Sequence, residues 1–282
     1  MHSWTDVYPE GRWSQSSMDL YLDQIFSIIG STNKYFVEFG FDGLVYRNSN
    51  NWNEGSGSNT GNLYAKGWRG LLLDSKNENP AINLKKHSLY ANNIAQILSD
   101  YGVPKDLDFL SCDLDSHDLW VMRAILEAGY RPRVMTVEYN VNYPISVALT
   151  SMDPTVENHG SLPRGYKFRW QHCAFGASAK ALWIVANSFD YVMIGRVSQL
   201  DLIFIRKELL EDWMLVPEME WFFRDMNYTL LHNHLGNRAL LRHIVDYEMY
   251  LQTSDLIFSH ASARRYLKHL DLECFRAFNE EF

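Results

Sequence analysis

Apolar residues recur along the chain in two rhythms. Between residues 17 and 29, Met18, Leu22, Ile25, Phe26 and Ile29 return every three or four positions, the period of one helix face, and Gly30 stands where such a helix would end. This helix is expected to cover the sheet edge or the mouth of a site. The next run, Tyr35-Phe-Val-Glu-Phe39, is short and aromatic and suits a strand buried on both faces. It closes in Gly40-Phe-Asp-Gly43, where glycine permits either a tight turn or the close approach of a ligand. The alternation then repeats. Strands are predicted over 70–74, 87–91, 107–115 and 133–140, and helices over 78–86 (with Pro80 in the first turn), 92–100 and 119–128. Small residues at 175–182 start a further helix, and 191–195 and 200–206 read as a closing pair of strands. Strands alternating with helices in this way predict an α/β fold, a doubly wound, seven-stranded, mostly parallel sheet.

The remaining segments lack a period. Residues 1–16 form an irregular arm. Residues 46–58 are polar and turn-rich, and read equally as a surface insertion or as a lid. Residues 141–169, with Pro144, Pro154, Gly160, Pro163 and Gly165, read as a long loop able to shape an acceptor pocket. Residues 211–282 are rich in aromatic and aliphatic side chains and predict three or four helices that pack on the core or form a homodimer contact. His232, His234 and His243 in that stretch lack the spacing of a metal site. The organisation expected is an N-terminal arm and helix (1–30), a ligand-binding domain (31–210) and a C-terminal helical extension (211–282).

Composition narrows the function. The 282 residues are 46% hydrophobic, enough for a full core, and carry a formal net charge of -8, which disfavours nucleic acid as a partner. Cys112, Cys173 and Cys274 are too few and too widely spaced for a disulfide framework or a cysteine zinc site, which points to a reducing, cytoplasmic setting. No run approaches the roughly 20 apolar residues of a membrane span.

Acids at the predicted strand ends carry the chemistry. Asp74 ends one strand, where a carboxylate can accept both hydroxyls of a ribose or cap the following turn. Asp113 and Asp115 alternate and therefore share a side of an extended chain, with His117 and Asp118 just beyond; Glu138 and Asn140 end the next strand. Carboxylates gathered this way need a cation, a proton or a donor-rich ligand, and an oxygen-rich set suits Mg²⁺ or another hard divalent ion. His117 and His172 have the intrinsic pKa of a general base.

Taken together, Val37-Glu-Phe-Gly-Phe-Asp-Gly43, Ser58-Asn-Thr60, Gly67-Trp-Arg-Gly-Leu-Leu-Leu-Asp74, Asp108-Phe-Leu-Ser-Cys-Asp-Leu-Asp115 and Pro132-Arg-Val-Met-Thr-Val-Glu-Tyr-Asn140 resemble the FkbM-like class I S-adenosylmethionine-dependent methyltransferases, over residues 30–210. The resemblance implies a Rossmann-like sheet with one antiparallel strand. It also implies S-adenosylmethionine as cofactor, bound by Glu38, Gly40, Asp42, Gly43, Asn59, Thr60, Asp74 and Asp113. Asp115, His117 and His172 are then the catalytic candidates. Asp113, Asp115, Glu138 and Asn140 are the candidates for a divalent cation. The activity implied is O-methylation of a small polar acceptor, a sugar or glycan. The alternatives are N-methylation, or a non-catalytic module that uses its tail to engage a protein. Three features depart from the family pattern: the first motif lacks a third glycine, residues 46–57 are a longer insert than usual, and Ser116 replaces a common glycine.

Overall fold

The computed structural model describes residues 13–14, 17–40, 57–155, 175–197, 200–211, 214–224, 244–255, 258–263 and 265. Helix α1 (Met18–Ile29) is ended by Gly30. Strands β1 (Tyr35–Phe39), β2 (Arg69–Asp74), β3 (Leu84–Lys86), β4 (Phe109–Cys112) and β5 (Val134–Glu138) lie parallel, separated by α2 (Gly61–Ala65), α3 (Ile94–Asp100) and α4 (Asp118–Glu127). After a short strand β6 (Leu149–Ser151) come α5 (Ala179–Ser188), β7 (Tyr191–Val197) and β8 (Asp201–Arg206). The large sheet has seven strands in the order β3-β2-β1-β4-β5-β8-β7, with β8 antiparallel to both neighbours. The expected mostly parallel, Rossmann-like α/β architecture is therefore present.

Alternation along each strand splits the core in two. Val37, Phe39, Leu71, Leu110, Met135 and Leu202 pack beneath α3, α4 and α5, where Ala179, Ala181 and Ala186 keep α5 close to the sheet. Phe36, Leu72, Phe109, Val134 and Ile203 pack on the other face with Met18, Leu22 and Ile25 of α1. That helix lies on this face of the sheet, where its buried stripe shares one apolar cluster with residues from the middle and edge strands. Burying each such side chain contributes roughly 1.5–3 kcal/mol before the cost of ordering it.

Two segments depart from the sequence reading. Residues 78–86 are not one helix, and 87–91 do not form the third strand. A 3₁₀ turn, Pro80–Ile82, is capped by the Asn79 side chain on the Ala81 N–H, and Asn83 leaves it with a φ of 57°. Leu84 then pairs with Leu72 and starts β3. Asparagines at both ends of the turn favour local side-chain bonding over helix propagation. The extension is also not wholly helical. Its described parts include a 3₁₀ segment (Met219–Phe223), strand β9 (Ile244–Asp246) and α6 (Tyr247–Thr253). Strand β9 pairs antiparallel with β6 to form a second, two-stranded sheet. No helix among the described residues is long and apolar enough to cross a membrane.

Candidate functional site

Strand order reverses between β1 and β4, and in an open α/β sheet such a switch point leaves a crevice beyond the carboxyl ends of the strands. Glu38 lies near that end of β1, on the face of Phe36. Its carboxylate accepts from Asn59 N (2.7 Å), Ser58 Oγ (2.8 Å), Thr60 N (2.9 Å) and the Thr60 hydroxyl. Asn59 Nδ2 donates to Ser111 Oγ at 3.0 Å, and Thr136 Oγ1 donates to the same oxygen at 3.2 Å. Glu38, Ser111 and Thr136 are register neighbours across β1, β4 and β5. The structure thus brings Glu38, Asn59 and Thr60 together, as a brace that fixes the 58–60 turn. Burial pushes the Glu38 carboxyl up while these donors pull it back.

Gly40 adopts a φ of 96°, and a Cβ there would lie 1.8 Å from the backbone oxygen of Asp113. Its glycine serves the contact between two strand ends, β1 and β4, on either side of the switch point. Asp42, Gly43 and His172 lie outside the described residues. Asp74 Oδ1 accepts from Lys76 N at 2.7 Å and from Asn77 N, which fixes the turn after β2. Its second oxygen meets no donor among the described residues, so the capping role and a ligand role are compatible.

The strand-end acids beyond β4 and β5 are arranged differently from the alternation rule. Strand β4 ends at Cys112 and Asp115 has a φ of 58°, so the extended geometry that would align Asp115 with Asp113 is broken. Asp115 is exposed, whereas Asp113, Asp118 and Glu138 offer carboxylate oxygens all within 4.8 Å of one another. Asp118 accepts from Leu114 N (2.6 Å) through Oδ1 and from Ser116 N (3.0 Å) through Oδ2, holding the loop that follows β4. Asn140 is engaged elsewhere: Nδ2 donates to Phe175 O (2.9 Å), and Oδ1 accepts from Asn142 N (2.8 Å) and Asn142 Nδ2 (3.0 Å). Its amide ties the loop after β5 to the segment before α5.

Electrostatics follow from this crowding. Burial, followed by the charges of Asp115, Asp118 and Asp201, raises Asp113 well above the usual carboxylate range, and a hydrogen bond with Glu138 offsets part of the rise. Glu138 is raised in the same way, by burial and then by Asp113. Asp118 is pushed up to about 7 by burial, against the pull of backbone N–H donors, those of Ser116 and Leu114 foremost. Asp201 is pushed up to about 7 by burial and then by Glu38 and Asp118. Sequence reasoning passed over Asp201. The available signal was an acid opening a buried strand, which only an antiparallel strand carries to the carboxyl edge.

His117 is buried and engaged at both ring nitrogens. Nε2 lies 2.7 Å from Leu89 O, and Nδ1 lies 2.7 Å from Ser116 Oγ. A carbonyl only accepts, so Nε2 carries a hydrogen. Tyr90 stacks on the ring with centroids 5.3 Å apart. Burial lowers the imidazole pKa, opposed by the Leu89 bond and the Asp153 charge. The histidine joins the loop after β4 to residues 89–90. The sulfur of Cys112 is free of any disulfide and buried beside Asp118. Neither the models of known protein families nor the curated proteins include one that this chain matches.

Proposed function

We propose that the chain is an S-adenosylmethionine-dependent O-methyltransferase acting on a hydroxyl of a small polar acceptor, a sugar or glycan. The observation that carries this reading is the sheet order β3-β2-β1-β4-β5-β8-β7 with β8 alone antiparallel, whose switch point falls between the Gly40 and Asp113 strand ends. Residue resemblance and sheet topology thus support the same class independently. The donor set suits the cofactor. A sulfonium and an ammonium favour acidic surroundings, and Asp74 retains a carboxylate oxygen for a ribose hydroxyl. When bound, the cofactor supplies an electrophilic methyl group to the acceptor oxygen.

The chain's own residues would bind, align and take a proton. Glu38 holds the 58–60 turn against the crevice. Asp113 and Glu138 present hydrogen-bonding carboxyls at its floor. Among the described base candidates, His117 has both nitrogens engaged, so the exposed Asp115 is the one open to receive the acceptor's proton. Holding the acceptor oxygen in line supplies the largest part, up to roughly 7–11 kcal/mol in favourable intramolecular reactions.

Titration calorimetry with S-adenosylhomocysteine tests the reading. Saturable binding is expected, weakened at least about tenfold in Asp74→Ala, the loss expected for a charged hydrogen bond. A folded wild-type chain that binds none of it refutes the proposal. Binding without a one-methylene mass gain on any sugar or glycan in a mass-spectrometric screen favours the non-catalytic module instead.

A further inference from the structure

The turn that Glu38 braces is also held by the N-terminal arm. Ser14 forms a parallel bridge with Gly57, and the Trp13 ring lies against Gly61, so the arm meets the turn just before Ser58 and just after Thr60. A Cβ on Gly61 would lie 2.5 Å from Trp13 Cε3, and the three atoms nearest to it all belong to that ring. Gly61 opens α2 without a left-handed φ. The close approach of the ring is therefore what calls for glycine there.

The arm is itself anchored. Asp19, buried in the first turn of α1, accepts from Ser14 Oγ (2.8 Å) through Oδ1 and from Trp13 N (3.3 Å) through Oδ2, and Ser14 Oγ accepts from Asp19 N at 3.3 Å. Trp13 also packs against the apolar cluster that contains Phe36, Leu63 and the buried stripe of α1. On its other side the turn reaches the switch point, where Asn59 Nδ2 donates to Ser111, the register partner of Glu38 on β4. Helix α1, the arm, the turn and the two strands that bound the crevice form one connected series. The sheet has its own core, so the arm's distinctive contribution is to the turn.

We propose that Trp13 and Ser14 are positioning residues for the ligand turn 58–60, so that release of the arm weakens cofactor binding while the sheet stays folded. The inference rests on the reading of that turn as part of an S-adenosylmethionine site. In it Asn59 and Thr60 meet the ligand, and Trp13 and Ser14 act only through them. A turn already fixed at both ends has less conformational freedom to lose when a ligand binds, which raises affinity without a new contact. By linkage, a ligand that gains from the arm must tighten the arm by the same factor.

Amide hydrogen exchange on the full chain, with and without S-adenosylhomocysteine, and calorimetry with the same probe test this. In ligand-free Trp13→Ala, exchange at residues 59–61 should quicken about three- to tenfold, the worth of one aromatic contact. The probe should bind that variant more weakly by a similar factor, and Trp13→Phe should recover most of the affinity. In wild type the bound probe should slow exchange at residues 13–14, a response that a contact serving stability alone would not give. Gly61→Ala should weaken binding in the wild-type background and add nothing in Trp13→Ala, where its Cβ has no ring to displace. If circular dichroism shows Trp13→Ala unfolded, Ser14→Ala takes its place in the exchange and binding measurements. The proposal is overturned by unchanged exchange at 59–61 in the folded variant, by a probe that binds wild type without slowing exchange at 13–14, or by equal Gly61→Ala losses in both backgrounds. If wild type binds no probe, the methyltransferase reading fails, and the ligand-free exchange at 59–61 decides whether the arm holds the turn.

Discussion

Replacing Gly40 by alanine tests whether the two strand ends at the switch point are held in contact by the backbone itself. The added Cβ would sit 1.8 Å from the Asp113 carbonyl oxygen and 2.7 Å from its carbon. An ordinary carbon–oxygen contact is about 3.3 Å, so the β1 and β4 ends must separate by roughly 1.5 Å. Overpacking of this kind costs about 1–3 kcal/mol, and a φ of 96° adds about 1–3 kcal/mol for a residue with a Cβ. The sum, roughly 2–6 kcal/mol, is a large part of a typical 5–15 kcal/mol stability. Gly67→Ala separates the two contributions, because Gly67 has a φ of 81° but nothing within 4 Å of its Cβ position. Urea unfolding of both variants should therefore show Gly40→Ala less stable than Gly67→Ala by about 1–3 kcal/mol, the overpacking cost alone. Equal losses would refute the claim that the contact with Asp113 is what selects glycine.

Two further outcomes follow from the buried acids. Asp201 rises from an ordinary 3.8 to about 7 in the folded chain, so the folded state holds its proton more tightly than the unfolded state. Its contribution to stability is fully present below pH 3.8 and is lost as the pH rises through about 7. At 1.36 kcal/mol per pKa unit the loss is at most roughly 4 kcal/mol. Thermal unfolding in chelator should show a smaller stability decrease between about pH 5 and pH 8 in Asp201→Asn than in wild type; parallel curves would contradict it. Glu38→Gln keeps the shape but turns an amide NH₂ toward backbone donors, either Asn59 N–H at the Oε1 position or Thr60 N–H at Oε2. A loss of about 1–3 kcal/mol and faster hydrogen exchange at residues 59–60 are expected, and unchanged exchange would remove the brace.

Six of the seven strands of the large sheet, all but β3, were legible because runs such as Tyr35–Phe39 and Leu202 to Ile205 are apolar on both faces, which only a covered sheet explains. Strand β3 was not, since its three residues follow an asparagine-rich turn whose bonds are local. Strands β6 and β9 are equally short and gain their stability from each other, so neither segment carries a periodic signal of its own. At the site, the residue types at the strand ends were readable, but their grouping was not. A left-handed backbone at Asp115 removes it from the side of Asp113, and the reversed direction of β8 adds Asp201. Both depend on backbone direction, which composition does not encode.

The pairing of β6 with β9 also orders events during synthesis. The large sheet is complete once Arg206 has emerged from the ribosome, whereas Leu149 must wait for Asp246 to find its partner. Domains fold as units while the chain lengthens. The nascent chain can therefore close its seven-stranded sheet, with β6 already bonded to residues 176–178, before β9 is added as the last strand. In that interval the sheet would be assembled while the loop leading from Glu138 and Asn140 still lacked its outer partner.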